Sequence, residues 1–347
     1  MKHSFKFFFL FLTVILSCNK TKTKDCDDSL SLYSKAEFPI GVAIEPYDLL
    51  AGTRNLEIVS RQFNSITAEN VFKPNNLHPS QNTFNWTEAD EMVNFAIAES
   101  KRIHGHTLIW HNQLPPWMNN FEGSTEDWEQ IFKDHIQSIC HHFKGKISSW
   151  DVINEAFTDD GNLRNTIWKQ NIGASYLEKA FLYAHEADPS ALLFYNDYDL
   201  VVNEKKRRAV IQFIKKLQQR NIPIHGIGLQ MHISIIHPGN SSIAEAFHEF
   251  SELGIKIHLS ELDISINPLS KSFNLTDELL EKQANKMAII SYHYQQIPKS
   301  LRYGISFWGH SDAHSWIRSF FNREDYPLLF DDNYEAKPVY CKFYESL

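Results

Sequence analysis

Residues 147–157 read ISSWDVINEAF. The first part of this stretch is short, largely apolar and β-branched, which is typical of a buried strand, and it ends in the polar pair Asn154-Glu155. A buried strand that closes on an amide and a carboxylate predicts a functional group at its carboxyl end. The same arrangement recurs along the chain, and this recurrence indicates the fold class.

Seven further runs of the same character are spaced along the sequence. Together the eight predicted strands cover 38–44, 63–70, 102–110, 147–155, 191–197, 224–233, 256–264 and 303–312. Amphipathic segments separate them, and the best helix candidates are 87–100, 124–143, 203–220 and 276–297. This alternation predicts an α/β protein with a single (β/α)8 TIM barrel. A doubly wound open sheet is the alternative, weakened because no G-x-G-x-x-G turn follows the first strand.

The composition is that of a globular protein rather than a nucleic-acid binder. Hydrophobic residues make up 43% of the 347 residues, which is enough to bury the core of a large barrel. The formal net charge of −8 argues against a nucleic-acid partner, because such proteins are usually basic. Of the eight Trp, we expect about half to be core and the others to be free to stack on sugar rings.

The N-terminal segment predicts export. A basic start precedes the apolar run 7–16, which is too short to span a bilayer and is typical of a signal peptide. The residues up to Cys18 resemble a bacterial lipobox, so we expect a lipid anchor in the bacterial outer membrane, or otherwise a periplasmic or secreted protein. An ordinary cleavage site with an incidental cysteine is the alternative. The predicted segments are a signal peptide at 1–17, a flexible tether at 18–36 and the folded domain at 37–347.

The remaining cysteines show no sign of a metal site. Cys26, Cys140 and Cys341 form neither a CxxC pair nor any metal-ligand spacing. We therefore expect no metal and no cofactor. Export would permit a disulfide bond, but three cysteines do not require one.

Polar or aromatic residues stand at the ends of seven of the eight predicted strands. In a (β/α)8 barrel the functional groups lie at the carboxyl ends of the strands, so these residues should converge at one mouth. They are Glu69-Asn70, His106 with Trp110-His111, Asn154-Glu155, Asn196-Asp197-Tyr198, Gln230 with His232, Glu261 with Asp263, and Trp308 with Asp312. Glu155 and Glu261 would supply the two carboxyl groups that glycoside hydrolysis needs, although either one alone could equally be a salt-bridged structural acid.

Several motifs, in order along the chain, resemble those of glycoside hydrolase family 10, the endo-β-1,4-xylanases. They are FNSITAEN, GHTLIWHNQLPPW, SWDVINEAF, NDYD, GLQMHI, SELDI and WGHSDAHSW, and the resemblance runs from about Phe38 to the C-terminus. It implies a retaining endo-1,4-β-xylanase, acting as a monomer on internal bonds of xylan and xylo-oligosaccharides. Two departures are Ala68, where the family usually has Pro, and Pro74, where it usually has an aromatic residue.

The same resemblance implies a role for each matching residue. Glu155 would be the general acid/base and Glu261 the nucleophile, about 5–5.5 Å apart as in retaining enzymes. Asp263 and His111 would support these groups from behind. The residues expected to bind the sugar are Glu69, Asn70, Lys73, His106, Trp110, Gln113, Asn154, Tyr198, Gln230, His232, Trp308 and Trp316.

Two interpretations from other classes remain. The H-x-H pattern of His104 and His106 is typical of metal-dependent amidohydrolase barrels, but those enzymes generally place it on the first strand and here it is on the third. The other is a non-catalytic glycan-binding lipoprotein on the same scaffold, although both candidate glutamates are present. Chelator sensitivity would favour the first, and an absence of turnover would favour the second.

Overall fold

The structure is a computed structural model that describes residues 28–269 and 273–347. Within these residues the strands are β1 Ile40–Ile44, β2 Ser65–Ala68, β3 Arg102–Ile109, β4 Ser149–Asn154, β5 Leu192–Asp197, β6 Gly226–Leu229, β7 His232–Ser234, β8 Lys256–Ser265 and β9 Arg302–Phe307. The α-helices are α1 Leu32–Lys35, α2 Arg54–Gln62, α3 Pro74–Leu77, α4 Thr87–Ala98, α5 Pro116–Asn119, α6 Thr125–His142, α7 Ile167–Ile172, α8 Tyr176–Ala187, α9 Glu204–Gln219, α10 Asn240–Ser251, α11 Asp277–Gln296, α12 Trp316–Phe321 and α13 Pro338–Ser346.

Eight of these strands close into a parallel barrel. Neighbours pair in the order β1 to β6, then β8 and β9, and β9 pairs back onto β1. The short strand β7 lies outside this ring and pairs with the end of β8. The (β/α)8 barrel is therefore confirmed, and the open sheet is wrong because an open sheet would leave two unpaired edges.

The four predicted helices correspond to α4, α6, α9 and α11, each within a few residues of the expected ends. Helix α6 shows why the sequence folds this way. The Ser124 hydroxyl accepts from the Asp127 N–H (3.2 Å), and the Asp127 carboxylate accepts from the Ser124 N–H (2.9 Å), which satisfies two N–H groups at the helix start. Phe132 and Ile136 on its apolar face are fully buried.

The folded part of the chain begins before the expected boundary at residue 37. Leu32 in α1 is completely buried, and its N–H donates to the Gln62 side-chain oxygen (3.1 Å). Burial of a leucine side chain stabilises by about 1.5–3 kcal/mol, which explains why this segment packs onto the barrel. The predicted signal peptide, Cys18 and part of the predicted tether lie outside the described residues. Among the described helices, none is long and apolar enough to cross a membrane.

Strand β3 passes Trp150 of β4 with no room to spare. A Cβ added at Gly105 would lie 2.1 Å from the nearest atom of the Trp150 ring. That ring is 1% exposed and packs against Phe72 and Phe143, so it has little freedom to move away. Position 105 therefore has no space for a side chain. Its neighbours in the strand are His104 and His106, whose positions matter for the site.

We predict that Gly105→Ala destabilises the protein by about 1–3 kcal/mol, the usual result of overpacking a filled core. The matched control is Gly239→Ala at the start of α10, where an added Cβ meets no atom within 4 Å and only the poorer capping by Ala, about 0.5 kcal/mol, is expected to cost stability. Urea unfolding of the two variants measures the difference. Equal stability of both would contradict the packing described for β3 and β4.

Candidate active site

Two glutamates are brought to one mouth of the barrel. Glu155 directly follows β4, and Glu261 lies within β8. The Gln230 amide donates to Glu155 Oε1 (3.0 Å) and to Asn154 Oδ1 (3.1 Å). The Asn196 amide donates to the same Asn154 oxygen (2.9 Å) and to Glu261 Oε1 (2.6 Å). One hydrogen-bonded network therefore connects the two carboxylates.

The Glu261 carboxylate is almost completely buried, with 5% of the residue exposed. The His232 ring donates to Oε2 (3.1 Å), and His106 Nδ1 lies 4.0 Å from Oε1. Burial alone would raise the pKa of Glu261, but His232, His106 and Asn196 outweigh it and lower the pKa below its usual value. The carboxylate is therefore ionised at neutral pH, as a nucleophile requires.

His232 is held between two carboxylates. Its Nδ1 contacts Asp263 Oδ2 (2.8 Å), while Nε2 contacts Glu261. Burial disfavours protonation of the ring, but Asp263 and Glu261 prevail and raise the pKa of His232 to about 10. The ring is thus an imidazolium that donates from both nitrogens. Trp316 completes the arrangement, because its indole N–H also donates to Asp263 Oδ2 (2.8 Å).

The surroundings of Glu155 are different. The Trp110 indole donates to Oε2 (2.9 Å), and the Gln230 amide donates to Oε1. His111 Nδ1 lies 4.0 Å from Oε2, and burial together with the charge of Arg164 lowers the pKa of His111, so that this ring is neutral at neutral pH. Neutral donors therefore surround Glu155, whose side chain is 13% exposed, whereas an imidazolium contacts the more deeply buried Glu261.

A buried lysine lies between the aromatic rings of the mouth. Lys73 Nζ is 5.3 Å from the centre of the Trp110 ring and 5.8 Å from that of Trp308. It donates to Asn70 Oδ1 (2.8 Å), and the Asn70 amide in turn donates to Glu45. Asn70 and Lys73, both predicted to bind the sugar, are thus placed beside the rings of Trp110 and Trp308.

Acidic residues concentrate at this end of the mouth. Burial and then the charge of Glu45 raise the pKa of Glu69 to about 7, while Lys73 acts in the opposite direction. Pro74, the departure noted in the sequence, is buried and begins α3 directly after Lys73. Lys73 makes its contacts with Asn70 and the Trp110 ring even though Pro74 stands where the family usually has an aromatic residue.

The H-x-H pair of β3 serves a carboxylate. His106 Nδ1 donates to Asp151 Oδ2 (2.9 Å), and His104 Nε2 lies 3.0 Å from Asp151 Oδ1, with all three residues buried. The two rings hold the pKa of Asp151 well below its usual value despite burial. Among the residues that the structure describes, no three His, Cys, Asp or Glu are grouped as a metal site needs. This geometry argues against the amidohydrolase interpretation.

The other predicted residues differ in exposure, since Trp308 is buried, Tyr198 is half-buried and Gln113 is exposed. The Tyr198 hydroxyl accepts from Arg164 (3.0 Å), and the Trp308 ring lies 5.2 Å from the His106 ring. Gln113 does not join the network, because it is exposed and only its carbonyl is engaged, by the Asn75 N–H (2.9 Å).

Away from the site, Cys140 is a buried free thiol and Cys341 is disulfide-bonded.

Asp151 and Glu45 take part in the site although the sequence did not predict them, and Asn196, expected at the mouth but given no role, contacts Glu261. Asn196 stands beside Tyr198 at the end of β5, and Asp151 lies within the SWDVINEAF motif, so both positions carried a signal. Glu45 directly follows β1, the one strand for which no functional end residue was expected. The position of a residue just after a barrel strand is the signal that identifies it.

Comparison with known proteins identifies the family and agrees with the barrel fold. The model of glycosyl hydrolase family 10 matches residues 29–346. Endo-1,4-beta-xylanase B of Thermotoga neapolitana is 40% identical over 292 residues, which are 84% of this chain and 83% of that protein. Endo-1,4-beta-xylanase A of Thermoanaerobacterium saccharolyticum is 38% identical over 92% of this chain, but the chain spans only 28% of its length. The structure of xylanase 10B from Thermotoga petrophila in complex with xylobiose has a TM-score of 0.86 at 38% identity, covering 91% of this chain and 97% of that one.

The predicted location is wrong by these comparisons. A structure described as an intracellular xylanase of T. saccharolyticum is 38% identical, with a TM-score of 0.85 over 91% of this chain and 99% of that chain. Similarity of this kind gives no support to export or to a lipid on Cys18. The short apolar run followed by a cysteine is a weak pattern, because its only basis is composition over about ten residues.

The charge on His232 gives a direct test of this geometry. We predict that NMR titration of the wild-type protein shows His232 still protonated at pH 8. In Asp263→Asn, loss of one of the two neighbouring carboxylates should move the pKa of His232 downward, toward about 6.5 for a free histidine. A wild-type His232 that titrates near pH 6.5 would contradict the ion-paired arrangement.

Proposed function

The chain belongs to glycosyl hydrolase family 10, and on that premise we propose that it is an endo-1,4-β-xylanase that hydrolyses internal bonds of xylan with retention of configuration. Glu155 is the general acid/base and Glu261 the nucleophile. The observation that carries this assignment is the network through Gln230, Asn154 and Asn196, which holds both carboxylates at one mouth in different electrostatic surroundings.

In the first step Glu261 attacks the anomeric carbon, and Glu155 gives its proton to the leaving glycosidic oxygen. His232 favours this step in two ways. It keeps Glu261 ionised, and together with the Asn196 amide on Oε1 its N–H on Oε2 fixes the orientation of the carboxylate. The product of the step is a covalent xylosyl-enzyme on Glu261.

In the second step water attacks the same carbon, and Glu155, now a carboxylate, takes the proton from that water. Two inversions at one carbon give net retention. Glu155 thus donates a proton in the first step and accepts one in the second. This suits a side chain that neutral donors hold at the more exposed edge of the site. A carboxyl separation of about 5–5.5 Å goes with this mechanism.

Three Trp rings lie around the two carboxylates. Trp308 meets the His106 ring edge-on, Trp316 lies 4.9 Å from the His232 ring, and Lys73 lies beside the Trp110 ring. Xylose differs from glucose by lacking the hydroxymethyl group on C5, so a narrow pocket favours xylose. Trp316 also borders a cavity of about 290 Å³ beside His232, which gives room for further sugar units of the substrate.

Paired variants distinguish the two catalytic roles. Glu261→Ala with azide and an activated aryl β-xyloside should form the α-xylosyl azide, because azide then replaces the nucleophile in a single inversion. Glu155→Ala with the same reagents should form the β-azide, because azide replaces water in the second step. Proton NMR of the products measures the anomeric configuration.

Each variant is the control for the other, since both remove one carboxylate from the same network. Xylan hydrolysis without azide should fall to background in Glu261→Ala. Native-like hydrolysis by Glu261→Ala, or azides of the same configuration from both variants, would refute the assignment.

If the Trp rings leave no room for a hydroxymethyl group on C5, the enzyme should strongly prefer xylan over cellulose. A single steric conflict of this kind changes kcat/KM by about 10- to 200-fold. Matched xylo- and cello-oligosaccharides of equal length provide the measurement, and short xylo-oligosaccharides should accumulate from polymeric xylan. Comparable kcat/KM values for the two series would show that the pocket is open and that xylan is the wrong substrate.

A further inference from the structure

The residue that carries the acid/base carboxylate has an unusual backbone conformation. Strand β4 ends at Asn154, and Glu155 follows with a φ of +58°. This left-handed region costs a side-chain-bearing residue about 1–2 kcal/mol relative to ordinary conformations. Glu155 therefore keeps this conformation only where the surrounding contacts enforce it.

Three contacts hold the backbone around Glu155. Its N–H donates to the Asn196 carbonyl (2.9 Å), and the next N–H, of Ala156, donates to the Tyr195 hydroxyl (3.0 Å). The Glu155 carbonyl lies beyond the end of the strand and accepts from Nε of Arg164 (3.0 Å). Arg164 is the one member of this set that reaches the site from a loop rather than from a barrel strand.

Arg164 is itself fixed by the loop that it closes. Its N–H donates to the Ala156 carbonyl (2.8 Å), and Phe157 and Leu163 form an antiparallel bridge inside the loop. The guanidinium then folds back, and its Nη2 donates to the Phe157 carbonyl (3.3 Å) and to the Tyr198 hydroxyl (3.0 Å). One planar group thus connects the backbone of the proton donor to a ring at the rim of the pocket.

We propose that Arg164 is a positioning residue that holds Glu155 and Tyr198 in the relative placement needed for proton transfer to the leaving group. This inference rests on the proposed function. Arg164 acts through the peptide of Glu155 and through Tyr198, since its hydrogen bonds go to the backbone and the phenol rather than to the carboxylate. Its guanidinium suits this task because the donors are arranged in one rigid plane.

The test uses the dependence on leaving group. Cleavage of a xylo-oligosaccharide needs a proton on the leaving oxygen, whereas release of dinitrophenolate from a dinitrophenyl β-xylobioside does not. In Arg164→Ala, kcat/KM for the oligosaccharide should fall by about 10- to 100-fold, part of the 10²- to 10⁴-fold that a general acid contributes. For the dinitrophenyl substrate the fall should stay below about 3-fold, because acid catalysis is not used there.

Two further variants keep the test informative. Lys169→Ala removes another hydrogen bond in the same region, from Lys169 Nζ to the Leu163 carbonyl (3.0 Å), without touching Glu155 or Tyr198, and should leave both kcat/KM values unchanged. Arg164→Lys keeps the charge but not the planar fork, so it should show the same selective loss at smaller size. If Arg164→Ala does not fold, as judged by circular dichroism, Arg164→Lys decides.

The possible outcomes separate the inference from the function on which it rests. An equal loss on both substrates, no loss at all, or the same effect from Lys169→Ala would overturn the positioning role. Failure of the wild-type protein to cleave xylo-oligosaccharides, or a Glu155→Ala variant with no dependence on leaving group, would instead refute the proposed function.

Discussion

An ionised carboxylate inside a protein is costly unless charge and hydrogen bonds replace the water that it has lost. Glu261 is such a group, and the interior of the barrel is arranged around it. The His232 imidazolium supplies the opposite charge, and Asn196 supplies a neutral donor. Each of these partners is fixed in turn, His232 by Asp263 and Asn196 by Asn154, so the compensation extends to a second layer of residues.

The second carboxylate follows a different design. Glu261 is part of a strand and has a cation beside it, whereas Glu155 stands just beyond a strand and is held by neutral indole and amide groups. A nucleophile must be charged and still, while an acid/base must change its protonation twice in each cycle. The two carboxylates therefore have different hydrogen-bond partners, as the two different roles proposed for them require. The positioning role proposed for Arg164 concerns Glu155, because its guanidinium donates to the Glu155 carbonyl.

Much of this architecture could be predicted from the sequence, because barrel strands are apolar runs with functional residues at one end. All eight ring strands follow from that pattern, as does the presence of both glutamates at one mouth, whereas the roles assigned to them come from the family resemblance. The rest depends on tertiary contacts that no period reveals. Strand β7 exists only because it pairs with the end of β8, and α1 is helical because Leu32 finds a buried place near Gln62. Glu45 reaches the site from a strand end that no motif marks, and Arg164 reaches it from an irregular loop. The N-terminal composition predicted a location that the comparisons contradict.

The central claim is that Glu261 forms a covalent bond to the sugar. A 2-deoxy-2-fluoro β-xylobioside with a good leaving group is expected to trap that intermediate, because the fluorine slows the second step more than the activated first step. Mass spectrometry of the intact protein should show the addition of one fluorinated xylobiosyl group, and peptide mapping should place it on Glu261. Attachment to Glu155, or rapid turnover without any adduct, would contradict the account.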